Sequence, residues 1–122
     1  MFSLIRRKYR WLALEIITSR TITKDEFVAE LKRKIYELFG SFYDVIFNIE
    51  DFDEQRGLVI IKCLSEDLRR LRTALGLLRE IKGTPVILND LYCSGTYRKL
   101  KEELNARKLF IEFLKAANGV AR

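Results

Sequence analysis

The segment Ser94-Gly95-Thr96-Tyr97-Arg98-Lys99, called the 94–99 segment below, has the composition of a phosphate-binding loop. It opens a predicted helix, and the first N–H groups of a helix have no partner inside it. The candidate contacts are two hydroxyls, a glycine and three cations, from Ser94, Gly95, Thr96, Arg98, Lys99 and Lys101. Free N–H groups, hydroxyls, cations and a glycine that permits close approach together form a cradle for a phosphate group.

The charges at the three predicted helix starts differ in sign. The first helix begins with Asp25 and Glu26, and the second with Glu66 and Asp67. The positive end of the helix dipole favours such acids by ~0.3–1 kcal/mol each. The third helix begins with the cations of the 94–99 segment, which is the unfavourable sign. An external anion would relieve this mismatch, and the alternative is that exposed cations tolerate roughly a few tenths of a kcal/mol.

Other charged clusters permit several interpretations. A basic cluster precedes the first predicted strand and consists of Arg6, Arg7, Lys8 and Arg10. It forms either an RNA-contacting arm or a strand edge guarded by cations. We expect Arg69, Arg70 and Arg72 of the second helix to face outward, where they would serve RNA, a protein partner or solubility. The acidic stretch Glu50–Glu54 would repel RNA, so we expect it to be a solvated turn, or to face a basic partner or a hydrated metal ion.

The composition favours a binding protein over an enzyme. The 122 residues include no histidine, which removes the commonest general base and a frequent metal ligand. The two cysteines, Cys63 and Cys93, end apolar runs and are expected to be small buried thiols. The net charge is +6, and its excess lies in residues 62–122, which carry 13 basic and 7 acidic residues. A basic chain favours a polyanionic partner.

The N-terminal sequence MFSLIRRKYRWLALEII is interrupted by charges, so it is a poor signal peptide. No apolar run approaches the ~18 residues of a membrane span. We therefore expect a cytoplasmic protein.

Hydrophobic periodicity predicts the elements that position these residues. Strands are predicted at Lys8–Ile17, Phe42–Glu50, Leu58–Cys63 and Val86–Cys93. A capping box of Thr23 and Glu26 opens the first helix, which Gly40 ends. Ser65 is predicted to cap the second helix, and a long third helix spans about 96–117. The polar turn Asp51–Gly57 and the turn Gly83-Thr84-Pro85 precede the last two strands.

The resulting β-α-β-β-α-β order is that of an α+β, ferredoxin-like fold, also found in RNA-recognition motifs. We expect one domain over 1–122, with a four-stranded antiparallel sheet, a core at about 8–93 and the extra C-terminal helix. An RNA-recognition motif stacks bases on aromatic rings of its third strand. Leu58, Ile60 and Cys63 stand there instead, so we predict that the C-terminal helix or a partner protein covers this face. The helix residues that would do so are Leu100, Leu104, Leu109, Phe110, Ile111, Phe113 and Leu114.

Two other functions fit the same topology. An acylphosphatase-type enzyme would need a glycine-containing phosphate loop after the first strand, where this chain has Thr18-Ser19-Arg20-Thr21. A ferredoxin-like protein-interaction or ligand-sensing domain without RNA binding is the main alternative. Because the fold alone names no function, RNA binding and its salt dependence separate these possibilities.

Several segments resemble a known family. They are Tyr9-Arg10-Trp11-Leu12 after a basic start, Leu38-Phe39-Gly40, the strand Gly57–Cys63, Leu75–Gly83 and, most specifically, the 94–99 segment. Over roughly residues 6–105 the chain is similar to archaeal ribonuclease P protein component 2, in the Pop family of ribonuclease P and MRP subunits. It departs from that pattern at Tyr97, where the resemblance implies an aliphatic residue.

The resemblance implies a non-catalytic subunit of the ribonucleoprotein that removes 5′ leaders from precursor tRNA. The RNA and its bound Mg²⁺ would carry the chemistry, and the protein would bind no cofactor. The implied partners are ribonuclease P RNA, ribonuclease P protein component 3 in a two-plus-two heterotetramer, and precursor tRNA through the complex. Ser94, Thr96, Arg98 and Lys99 would then contact RNA phosphates and help to hold the catalytic core.

Overall fold

The computed structural model describes residues 8–40 and 45–107. Its strands are β1 (Tyr9–Thr18), β2 (Phe47–Asp53), β3 (Leu58–Leu64), β4 (Glu80–Ile81) and β5 (Thr84–Ser94). Its helices are α1 (Lys24–Phe39), α2 (Leu68–Leu77) and α3, whose described part covers 97–107. In this part of the chain no helix is long and apolar enough to span a membrane.

The sheet has the order β2-β3-β1-β5-β4, and all neighbouring strands are antiparallel. This arrangement confirms the predicted ferredoxin-like class, since β1 lies between β3 and β5. The predicted sheet lacked β4, a two-residue strand that forms a hairpin with β5. Lys82 and Gly83 both have positive φ, 51° and 77°, which is the backbone of a tight hairpin turn. The turn therefore lies at 82–83, and β5 already begins at Thr84.

The inner face of the sheet forms the main core with α1 and α2. Leu12, Leu14 and Ile16, which occupy alternate positions of β1, lie in that core. The capping box of α1 is also confirmed, because Thr23 Oγ1 accepts from Glu26 N–H and Glu26 accepts from Thr23 N–H. Gly40, whose φ is 70°, ends the helix.

The outer face of the sheet is covered by α3. Leu100 is fully buried against Ala13 and Ile60, and Leu104 packs against the same small cluster. The predicted covering helix is therefore confirmed for these two leucines. The other residues named for this role, Leu109, Phe110, Ile111, Phe113 and Leu114, lie outside the described residues.

Two predicted boundaries were wrong. Ser65 does not cap α2, because a 3₁₀ turn over Ser65–Asp67 precedes the helix and no side chain caps the helix start. The polar stretch after β2 is shorter than predicted, since the strand continues through Asp53. Asp53 Oδ1 accepts from two N–H groups of the turn, and Gly57 lies so close to Ile16 that an added Cβ would be 2.6 Å from its carbonyl oxygen. The predicted start of β2, Phe42, lies within residues 41–44, which are outside the described residues, and the described strand begins at Phe47.

Arg20, in the loop after β1, is held in place by hydrogen bonds to several parts of the fold. Its guanidinium donates to both carboxylate oxygens of Glu26 at 3.1 Å, to Thr84 Oγ1 at 2.7 Å and to Ile81 O at 3.3 Å. These bonds join the start of α1 to the β4–β5 hairpin. The loop therefore uses its arginine for structure, in agreement with the poor match to an acylphosphatase loop.

Candidate nucleic-acid interface

The strand register brings the two predicted basic clusters together at one end of the sheet. Trp11 pairs with Lys62 on β3 and with Ser94 on β5, so the start of β1 meets the ends of both neighbours. An added Cβ on Gly95 would lie 3.4 Å from Arg10 Nη1. Arg10 thus lies against the 94–99 segment, although 84 residues of sequence separate it from Ser94. Lys8, two residues before Arg10, is exposed, and Arg6 and Arg7 lie outside the described residues.

The hydroxyls of the 94–99 segment cap α3. Ser94 Oγ accepts from Thr96 N–H at 3.2 Å, and Thr96 Oγ1 accepts from Lys99 N–H at 3.2 Å. Ser94 is buried, whereas Gly95 and Thr96 are exposed. The backbone N–H groups of Tyr97 and Arg98 have no hydrogen-bond partner in the described part of the chain, as expected for a first helical turn. An anion at this turn would therefore meet the backbone around Gly95 and Thr96 before it met Ser94.

The cations of α3 differ in their surroundings. The Arg98 side chain is 89% exposed and reaches Glu102 one turn away at 3.2 Å. Lys101 Nζ lies 3.5 Å from Asp51 of β2. Lys99 is exposed and forms no ion pair within residues 8–40 and 45–107. The charge mismatch inferred from sequence is thus partly offset by Asp51 and Glu102, and Lys99 and Arg98 remain the accessible cations.

Asp51 does not lie in a solvated turn as the sequence suggested. It belongs to β2, and its carboxylate accepts from the Tyr97 hydroxyl at 2.5 Å. This hydrogen bond raises the pKa of Tyr97 to about 12, because it stabilises the neutral phenol beside a carboxylate. This contact joins two residues that are 46 positions apart in the sequence, and it holds the first turn of α3 against β2.

The arginines of α2 are not equivalent. Arg70 pairs with the buried Asp67 at 2.9 Å, and Arg72 pairs with Asp90 of β5 at 3.0 Å. The prediction that all three face outward was wrong for Arg70, whose side chain is half-buried. Arg69 is exposed and forms no ion pair among the described residues. This helix therefore offers one accessible cation at 69 and a second that is shared with Asp90.

An aromatic pair at the same sheet end was not predicted as a site. Tyr9 and Trp11 are two residues apart in β1 and therefore lie on the same face of the strand, with ring centroids 6.5 Å apart. Lys62 Nζ lies 4.4 Å from the Tyr9 centroid and 5.2 Å from the Trp11 centroid. The two rings are close in sequence, but only the strand register shows that Lys62 lies near both of them.

The cysteines carry no reactive chemistry in this arrangement. Cys63 is buried and Cys93 half-buried, and both are free thiols. Burial raises the pKa of Cys63 to about 11, so the thiol stays protonated near neutrality. Among the described residues, no cluster of carboxylates and thiols could hold a metal ion.

The chain matches a family model and several named relatives. Residues 10–105 match the Rpp14/Pop5 family. Ribonuclease P protein component 2 of Pyrococcus horikoshii is 32% identical over 105 residues, which cover 84% of this chain and 88% of the relative. The protein of the same name from Archaeoglobus fulgidus is 31% identical over 100 residues, or 81% and 90% of the two chains.

A solved structure shares the fold. One chain of the cryo-EM structure of yeast ribonuclease MRP superposes with a TM-score of 0.65 over 88% of this chain and 97% of that chain. The sequence identity is 14%, so this likeness concerns the fold alone. The family match and the identities above 30% over most of both chains go further. The chain belongs to the Rpp14/Pop5 family of ribonuclease P and MRP protein subunits.

Proposed function

We propose that the chain is a non-catalytic, RNA-binding subunit of an archaeal ribonuclease P. In this role it supports the catalytic RNA while that RNA removes the 5′ leader from precursor tRNA. The named relatives from Pyrococcus and Archaeoglobus support the assignment. The chemistry is assigned to the RNA and its Mg²⁺, so the protein's contribution is to bind and hold RNA.

The observation that carries this proposal is the approach of Arg10 to the 94–99 segment. It adds a cation from β1 to an exposed helix start that already presents Gly95, Thr96 and Lys99. Such a surface reads the RNA backbone, because exposed N–H groups and cations bind phosphate oxygens without regard to sequence. Lys8, Arg98 and Lys101 extend the same positive surface, and we include Arg6 and Arg7 as further contacts.

The proposal also includes partners and a compartment. Ribonuclease P protein component 3 would bind the chain in a two-plus-two heterotetramer, and precursor tRNA would be reached through the complex. The whole assembly would act in the cytoplasm.

The RNA role is tested by measuring affinity for the catalytic RNA as salt is varied. Each neutralised phosphate contributes a slope of about −0.7 to −0.9 in log affinity against log salt. Arg98→Ala with Lys99→Ala should weaken binding and flatten this slope by one to two contacts, roughly 0.7–1.8. The melting temperature should stay near that of the wild type, because only an exposed ion pair with Glu102 is lost.

The matched control is Lys32→Ala with Arg33→Ala, which removes two exposed cations from α1 on the opposite side of the sheet. It should leave the salt slope nearly unchanged. A flat salt response of the wild type would contradict RNA binding and favour the protein-interaction or ligand-sensing domain. Unfolding of the Arg98/Lys99 variant would show that these residues are structural.

A further inference from the structure

The sheet end beside the 94–99 segment carries an exposed aromatic ring. Tyr9 is 39% exposed, although Lys62 and Trp11 both contact its ring. It belongs to neither of the two apolar clusters that the described residues form. The ring is therefore not needed to fill the core.

The position of α3 explains why this ring is left open. Leu100 and Leu104 cover the aliphatic part of the outer face around Ala13 and Ile60. Trp11 packs at the margin of that cluster. Tyr9, two residues nearer the start of β1, lies past this margin, so the covered face ends where the aromatic side chains begin.

The same position has the charge of a nucleic-acid site. Lys62 Nζ lies over the Tyr9 ring, and Lys8 and Arg10 flank Tyr9 in the chain. Trp11 is the register partner of Ser94, so the aromatic pair is continuous with the proposed backbone contact. Proteins that bind unpaired nucleotides combine cations for the backbone with rings on which bases stack.

We propose that Tyr9 stacks on an unpaired base of the bound RNA, with Lys62 contacting a phosphate of the same strand. This inference rests on the proposed RNA-binding function and extends it from the backbone to a base. The aliphatic part of the sheet face remains excluded from stacking because α3 covers it. The stacking site therefore lies on the first strand, beyond the part of the face that α3 covers.

The chain contains one tryptophan, so Trp11 reports directly on this site. The probes are an unpaired oligouridine of about ten nucleotides and a blunt RNA duplex of similar length, each titrated at low salt against the full chain. The oligouridine should quench the Trp11 emission. Tyr9→Leu should weaken oligouridine binding by about 5- to 150-fold, the range measured when a stacking ring is removed.

Tyr9→Phe is the matched control, because it keeps the ring and loses only the hydroxyl. It should bind oligouridine within about twofold of the wild type, since stacking uses the ring face. Both variants should bind the blunt duplex as the wild type does. Their melting temperatures verify that each one folds.

The outcomes separate this inference from the function on which it rests. Equal oligouridine binding by the wild type and Tyr9→Leu, with duplex binding intact, overturns the stacking site and leaves the RNA role standing. A wild type that binds neither these two probes nor the catalytic RNA refutes the RNA role itself. If Tyr9→Leu weakens only the association with ribonuclease P protein component 3, the ring belongs to a protein interface and the inference is wrong.

Discussion

Tyr97 shows how one residue connects the candidate interface to the sheet. Its hydroxyl donates to Asp51, whose carboxylate also lies 3.5 Å from Lys101. The resemblance implied an aliphatic side chain at this position, and the structure uses the ring's hydroxyl instead. The first turn of α3, which presents the proposed phosphate contacts, is thereby fixed against β2.

We predict a pH-dependent contribution of Tyr97 to stability. Tyr97→Phe should lower the free energy of unfolding by about 1 kcal/mol near neutrality, because one hydrogen bond to a carboxylate is lost and solvent screening at this exposed pair reduces its contribution. The folded-state pKa is raised from 10.0 to about 12, so this contribution is complete below pH 10 and disappears as the pH rises toward 12. Urea denaturation of the wild type and the variant at pH 8 and near pH 12 measures the difference.

Tyr36→Phe is the control for that measurement, because Tyr36 is 67% exposed on α1. It should match the wild type at both pH values. A Tyr97→Phe deficit that persists unchanged near pH 12 would contradict the assigned hydrogen bond.

At the scale of elements, the sequence correctly predicted those strands and helix starts that local residue patterns determine. Alternation identified β1, and the capping box placed the start of α1, because both signals lie within a few residues. The hairpin of β4 and β5 was missed because its turn places Lys82 at positive φ, where asparagine, aspartate or glycine is the usual signal.

The candidate site was only partly predictable for a related reason. The 94–99 segment is contiguous, so its composition could be read directly. Its contacts with Arg10 and Asp51 depend on strand register and on the path of α3, which no local pattern contains. The Tyr9–Trp11–Lys62 cluster likewise joins two strands that are far apart in sequence.

The junction of α1 with the β4–β5 hairpin gives a second prediction, for acid conditions. The bonds from Arg20, with those from Thr23, lower the pKa of Glu26 from 4.5 to about 2. The stabilisation by ionised Glu26 is therefore complete above pH 4.5 and is lost as the pH falls toward 2. Glu26→Gln should denature at lower urea than the wild type at pH 7, and the difference should shrink toward zero near pH 2.

Glu54→Gln, in the exposed turn between β2 and β3, is the comparison for this experiment. Its denaturation midpoint should follow the wild type at every pH. Because Arg20 and Glu26 lie at the opposite end of β1 from Arg10, Glu26→Gln should also leave RNA affinity unchanged at pH 7. A constant gap between Glu26→Gln and the wild type from pH 7 to pH 2 would contradict the assigned role of Glu26.

At the scale of the whole molecule, the uneven charge has a structural counterpart. The basic excess of residues 62–122 is joined at one sheet end by cations from the start of β1. Asp51 and Glu102 neutralise part of this end, so the accessible cations are fewer than the sequence suggests. The proposed complex therefore needs several weak phosphate contacts that act together, rather than one deep pocket.

Reconstituted cleavage of precursor tRNA tests this consequence. Catalytic RNA with ribonuclease P protein component 3 and this chain should cleave faster, at limiting Mg²⁺, than the same mixture without the chain. Two lost surface contacts of ~0.5–1 kcal/mol each correspond to about a 5- to 30-fold rise in the protein concentration required. Arg98→Ala with Lys99→Ala should show that rise and recover the full rate at saturating protein, because it weakens binding without removing a reacting group.

Lys32→Ala with Arg33→Ala should require no more protein than the wild type. A reduced rate of the Arg98/Lys99 variant at saturation would instead assign these side chains to the cleavage step and contradict a purely supporting role.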